Sequence, residues 1–156
     1  MRRLFAAILT IIFLVATDSA SAAIGRVVKV LPHYLDLKGR HTLSPSLYDR
    51  DAYQAQLRRQ PEQRSGVRFD VHWRGRATGG ATLKLRAELR GTAKGNLPGQ
   101  TTLETEVKIG ASGSANRWAS LMLAGDEYKK FGEVTAWRVT LWDDNQLLAE
   151  QKSFLW

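Results

Sequence analysis

The sequence predicts an all-β fold, a two-sheet sandwich of seven strands with one short helix inserted between the first and second strands. Three observations carry this. Val67, Phe69, Val71 and Trp73 alternate with Arg68, Asp70, His72 and Arg74, and Leu83, Leu85, Ala87 and Leu89 alternate with Lys84, Arg86, Glu88 and Arg90. A period of two with one wet face is the signature of a half-buried strand. The last stretch, Val134 to Trp156, reads as a hairpin too apolar to stand alone, so it needs a partner sheet.

In chain order, Ile24 to Leu31 is the first strand, stopped by Pro32 and placed at an edge. An insertion follows at about residues 45–60, with its helix over Asp49 to Arg59. Asp49 and Asp51 suit the positive start of that helix, Arg58 and Arg59 its negative end, and Pro61 restricts Gln60. It is expected to cover an open end of the sandwich, either as a functional lid or, with Leu47, Tyr48, Tyr53 and Leu57, as a plug of the core. Thr102 to Ile109 and Arg117 to Leu123 supply two more strands, separated from their neighbours by the turn regions Gly91 to Gln100 and Gly110 to Asn116. Ala124 to Gly132 is expected to make one helical turn. The closing hairpin has Trp137, Val139 and Leu141 on one face, turns at Asp143 to Gln146 and returns along Leu147 to Trp156.

The seven-strand order, with Trp73 in the second strand and the closing run Ala136 to Trp142, resembles the immunoglobulin or fibronectin type III sandwich of exported bacterial proteins of unassigned function. The resemblance implies the fold and carries no functional residue. The two sheet-bridging cysteines of antibody domains are missing, and the helical insertion is foreign to the generic pattern.

Residues 1–22 have the three parts of a secretory signal: Arg2 and Arg3, an apolar run from Leu4 to Ala16, and Ala20, Ser21 and Ala22 as a cleavage site. Export to the periplasm or the medium is therefore expected, with one domain over residues 23–156. The whole chain carries a formal charge of +8; loss of Arg2, Arg3 and Asp18 would leave +7. Such a charge attracts anionic glycans, lipid surfaces or acidic envelope proteins, and the attraction weakens with salt. Nucleic acid fits the charge, but export and the lack of a basic and aromatic reader motif argue against it.

There are no cysteines, so thiolate catalysis, disulfides and cysteine zinc sites are excluded. His33, His41 and His72 lack metal-ligand spacing and read as solvated or locally bonded imidazoles, with Asp36 or Asp70 as neighbours. No Gly-x-Ser-x-Gly elbow occurs, and the acidic pair Glu104 and Glu106 shares a wet strand face. The chain therefore reads as a binding or structural module without cofactor, metal or catalytic residues. Two surface features are the candidate sites. Lys84, Arg86 and Arg90 would share a sheet face with Arg138, with Glu88 the one acid beside them. Trp118, Trp142 and Trp156, expected at strand ends, offer indoles for stacking, and a carbohydrate-binding module using Trp118 or Trp142 is the alternative function. Burial under the helix or at the sandwich rim is the competing reading for all three indoles, with Trp156 closing the end of the core.

Overall fold

Alternating apolar positions become the inner faces of two antiparallel sheets in a computed structural model that describes residues 23–93 and 96–156. The export signal lies outside these residues, as does Gly95 of one predicted turn. Strands β1 (Ile24–Asp36), β2 (Arg64–Arg76) and β5 (Ser114–Ala124) form a sheet in the order β1-β2-β5. Strands β3 (Thr82–Thr92), β4 (Pro98–Lys108), β6 (Glu133–Asp143) and β7 (Gln146–Lys152) form the other, in the order β4-β3-β6-β7.

The core lies between them. Val67, Phe69, Val71 and Trp73 of β2 share one buried cluster with Leu83, Leu85, Ala87 and Leu89 of β3, joined by Leu121, Leu123, Val139 and Leu141. Burying side chains of this size stabilises by roughly 1.5–3 kcal/mol each before the entropy of ordering them is counted. Phe69 meets Trp137 edge-on, with ring centroids 6.3 Å apart.

Several expectations are corrected. The first strand does not stop at Pro32 but runs to Asp36, pairing Pro32 with Phe69. β1 is an edge strand, and an edge residue whose N–H faces away from the neighbour gives up no ladder bond when it is proline. A register shift between Val27 and Lys29 also rotates the strand, so Val27 and Val30 face the core. The return arm of the hairpin stops at Lys152; Ser153 to Trp156 form a turn, with the Trp156 N–H donating to the Ser153 carbonyl at 3.2 Å. Finally, there are two α-helices rather than one.

The first, α1 (Leu47–Arg59), is capped by Ser46, whose hydroxyl accepts from the Asp49 N–H at 3.4 Å. It does not plug the core. Leu57 is fully buried, yet Leu47 and Tyr48 are exposed, and Leu57 stands outside the main core cluster. The helix instead closes the free edge of β1. Gln54 is buried, and its carboxamide acts as an extra peptide group: the Tyr34 N–H donates to Oε1 at 2.8 Å, and Nε2 donates to the Tyr34 carbonyl at 2.9 Å and the His41 carbonyl at 2.8 Å. An edge so occupied cannot template another strand there. The second helix, α2 (Gly125–Phe131), occupies the segment expected to make one turn and turns Tyr128 and Phe131 into the core. Gly132 ends it at φ 84°, against the Thr92 carbonyl, where a side chain would have no room.

Candidate functional site

The face expected to bind lies on the four-stranded sheet. Antiparallel register between β3 and β6 sets Lys84 opposite Trp142, Arg86 opposite Thr140, Glu88 opposite Arg138 and Arg90 opposite Ala136. These residues do share a face, but the expected lack of acid is wrong. Glu104 of β4 lies 2.7 Å from Arg86 and 3.6 Å from Lys84. Arg138 bonds Glu88 at 2.6 Å and lies 3.6 Å from Glu150. The hydrogen bond from Arg86 holds the Glu104 carboxyl below the usual carboxylate range. Sequence adjacency brought only Glu88 into view; the other acids arrive from the flanking strands.

Aromatic rings occupy what remains of this cationic set. Arg90 stacks on the Trp156 ring at 4.0 Å and Arg138 lies 5.1 Å from the same centroid. Trp156 thus sits on the outer face rather than closing the core. Trp142 is half-buried, donates its indole N–H to Thr140 at 2.8 Å and lies 5.4 Å from Arg86. Lys84, Arg86, Arg90, Arg138, Trp142 and Trp156 are thus each engaged with a neighbour on the same face.

The three-stranded sheet is different. Register across β5, β2 and β1 arranges its outer side chains in rows: Ser114, Arg76 and Ile24; Asn116, Arg74 and Arg26; Trp118, His72 and Lys29; Ser120, Asp70 and Leu31; Met122, Arg68 and His33. Trp118 is not at a strand end but in the middle of β5, 53% exposed. Its ring stacks on His72 with centroids 4.9 Å apart and planes 15° apart. His72 Nε2 is 2.6 Å from Asn116 Oδ1, which also accepts from Arg74 Nε at 3.3 Å. Asn116, itself engaged by Arg74, therefore holds the imidazole on which the indole stacks.

Around that stack the charge is one-sided. Arg26, Lys29, Arg74 and Arg76 are exposed, and no ion pair among the described residues involves them. The carboxylate on this face, Asp70, lies in the next row and is fully engaged. Arg68 donates to it at 2.8 Å, Ser120 at 2.6 Å, and His33 Nδ1 lies at 3.3 Å. Burial pushes the Asp70 carboxyl up, but the hydrogen bonds from His33, Ser120 and Arg68 outweigh it and hold the group below the ordinary range. Of the candidate binding residues read from sequence, only Trp118 belongs to this patch, and its partner His72 was read as a solvated or locally bonded imidazole. Arg26 and Lys29 escaped because the bulge in β1 breaks the alternation that would have put both on one face.

Asp70 stands between Ser120 and His33, so the serine hydroxyl donates to the carboxylate rather than to the imidazole. His41 lies beside His33, with ring centroids 5.3 Å apart, and burial followed by the Arg68 charge lowers its pKa. Asp36, the other acid neighbouring the histidines in sequence, organises the loop before α1 instead. Among the described residues, no three His, Asp or Glu side chains converge as metal ligands. A crevice of about 280 Å³ opens at the seam where β7 stops short of β6, lined by the apolar Phe69, Val134 and Trp137 and the polar His33, Arg58 and Ser153. No helix of the described residues is long and apolar enough to cross a membrane.

The chain matches no protein-family model and no curated protein.

Proposed function

We propose that this chain is an exported, non-catalytic binding module of the immunoglobulin or fibronectin type III kind, which engages an anionic component of the cell envelope through the outer face of its three-stranded sheet. The sheet orders β1-β2-β5 and β4-β3-β6-β7 support the fold assignment, and the secretory pattern of residues 1–22 supports export to the periplasm or medium. The observation that carries the function is the Trp118 and His72 stack, set among Arg26, Lys29, Arg74 and Arg76 with no carboxylate paired to them among the described residues. Unpaired cations at the surface attract anionic ligands at long range, whereas Lys84, Arg86 and Arg138 on the opposite sheet each lie beside a carboxylate that offsets their charge.

Retention on envelope fractions across a salt series tests this reading. Binding is expected to weaken as salt rises and to fall sharply in the double variant Arg26→Glu/Arg74→Glu. The double variant Arg86→Glu/Arg138→Glu, on the four-stranded sheet, is expected to bind nearly as the parent does. Salt-insensitive retention, or equal losses in both double variants, would remove the support for this face.

A further inference from the structure

We infer that the ligand of this face is an acidic polysaccharide, with one sugar ring stacked on Trp118 and an anionic substituent of the adjoining ring held by Arg26 and Arg74. The inference rests on the binding role proposed above and specifies the ligand class.

The geometry of the row supplies the argument. The Trp118 ring stacks on His72, whose imidazole is held by Asn116, and is still 53% exposed. A flat, half-exposed indole of this kind matches the apolar face of a pyranose ring. Its neighbours are polar: Asn116 and Ser120 on its own strand, Arg74 one row away on the next. A pyranose edge carries hydroxyls that such side chains can bond. An acyl chain cannot, so the surroundings of Trp118 favour a sugar over a lipid tail.

The second half of the argument is spacing. β5, β2 and β1 lie side by side, so Trp118 and Lys29, at the two ends of one row, are about 9.5 Å apart at the backbone from the spacing of neighbouring strands. Arg74 and Arg26 are directly opposite each other in the adjacent row, where two like charges have no acid between them. Directly opposed like charges destabilise a strand pair, so this juxtaposition costs stability that a bound anion would return. An anionic polymer crossing the strands from β5 toward β1 would place its ring on the indole and its charge between the guanidinium groups. A bidentate fork on each arginine suits a carboxylate, sulfate or phosphate substituent.

Calorimetric titration of the whole protein with four probes tests this: tetragalacturonate, a heparin tetrasaccharide, neutral cellotetraose and phosphatidylglycerol vesicles. Binding is expected for at least one acidic glycan and absent for cellotetraose. Trp118→Ala should weaken it by about tenfold, and Arg26→Ala/Arg74→Ala should weaken it by a similar factor and flatten its salt dependence. Because Trp118 is a surface residue, thermal unfolding of each variant shows whether a loss of binding is a loss of fold. Vesicle binding without glycan binding would overturn the polysaccharide and leave the anionic-surface reading standing. Glycan binding that survives Trp118→Ala unchanged would overturn the stacking geometry. Failure to bind any of the three anionic probes would overturn both the ligand class and the function proposed for this face.

Discussion

Tyr53 donates its phenolic hydroxyl to the Asp36 carboxylate at 2.7 Å, tying α1 to the end of β1 across a loop of irregular backbone. Asp36 is the hub of that loop. Its Oδ1 accepts from the Lys38 and Arg40 N–H groups at 2.8 Å each, and Oδ2 also accepts from Arg40 Nε at 2.9 Å. Burial raises its pKa, but the Arg40 N–H, the Tyr53 hydroxyl and the Arg40 guanidinium outweigh it and lower the value to about 2. The depressed folded value has a definite sign for stability. The contribution is complete above the unfolded pKa near 3.8 and is lost as pH falls toward 2. It amounts to about 2 kcal/mol. Urea denaturation between pH 2 and 6 should show a steep acid loss in the parent and a shallower one in Asp36→Asn, and equal slopes would show that this carboxylate does not anchor the loop.

Arg64 closes the other end of α1. Its side chain is 3% exposed, lies 4.1 Å from the centre of the Tyr34 ring and donates to the Leu57 and Arg58 carbonyls. Arg58 and Arg59, read from sequence as the favourable charges of the helix end, lie exposed in its last turn, where Arg59 donates to the Ala55 carbonyl at 3.2 Å; the Leu57 and Arg58 carbonyls are met by Arg64 of β2. Arg64→Ala leaves two helix-terminal carbonyls without this donor and removes buried methylenes, a loss of about 2–4 kcal/mol. Hydrogen exchange should find α1 amides unprotected in that variant while β2 and β3 amides remain slow. Uniform loss of protection would mean that the helix and the sheets unfold as one unit.

The two tryptophans Trp73 and Trp118 should separate stability from recognition. Trp73 is 1% exposed in the centre of the core, so Trp73→Ala is expected to cost about 3–5 kcal/mol. Trp118→Ala removes a surface ring whose main contact is His72, and a loss below about 1 kcal/mol is expected. Thermal unfolding checks the contrast. A large destabilisation by Trp118→Ala would make the stack a structural device.

Trp156 offers a test of the opposite face. Its ring is shared by Arg90 and Arg138, and a half-exposed cation–π contact contributes about 0.5–1 kcal/mol. A double-mutant cycle of Trp156→Ala with Arg90→Ala should give a coupling of that size. Zero coupling would mean that the tail does not rest on the sheet.

Residues whose facing is decided locally were legible in the sequence. In β2 and β3 each residue's side follows from its neighbour's, so the core positions Val67 to Trp73 and Leu83 to Leu89 could be assigned without knowing the partner strand. The same logic foresaw that Arg86 and Arg138 share a face, because an immunoglobulin-like order makes β3 and β6 neighbours. It could not see Glu104 and Glu150, whose approach depends on the registers of β4 and β7. Nor could it see α1 as an edge cover, because a single buried carboxamide, Gln54, makes that contact and has no periodic signature.

By itself, then, the sequence determined the alternation, the hairpin, the place of the first helix in the chain and the basic balance of charge. These are properties of neighbours in the chain. Only the tertiary structure decided which cations are left unpaired, since Arg26 meets Arg74 and Lys29 meets His72 across a register that a bulge in β1 resets by one residue. A one-residue shift changes the face of every side chain beyond it, and no local pattern records where that shift falls.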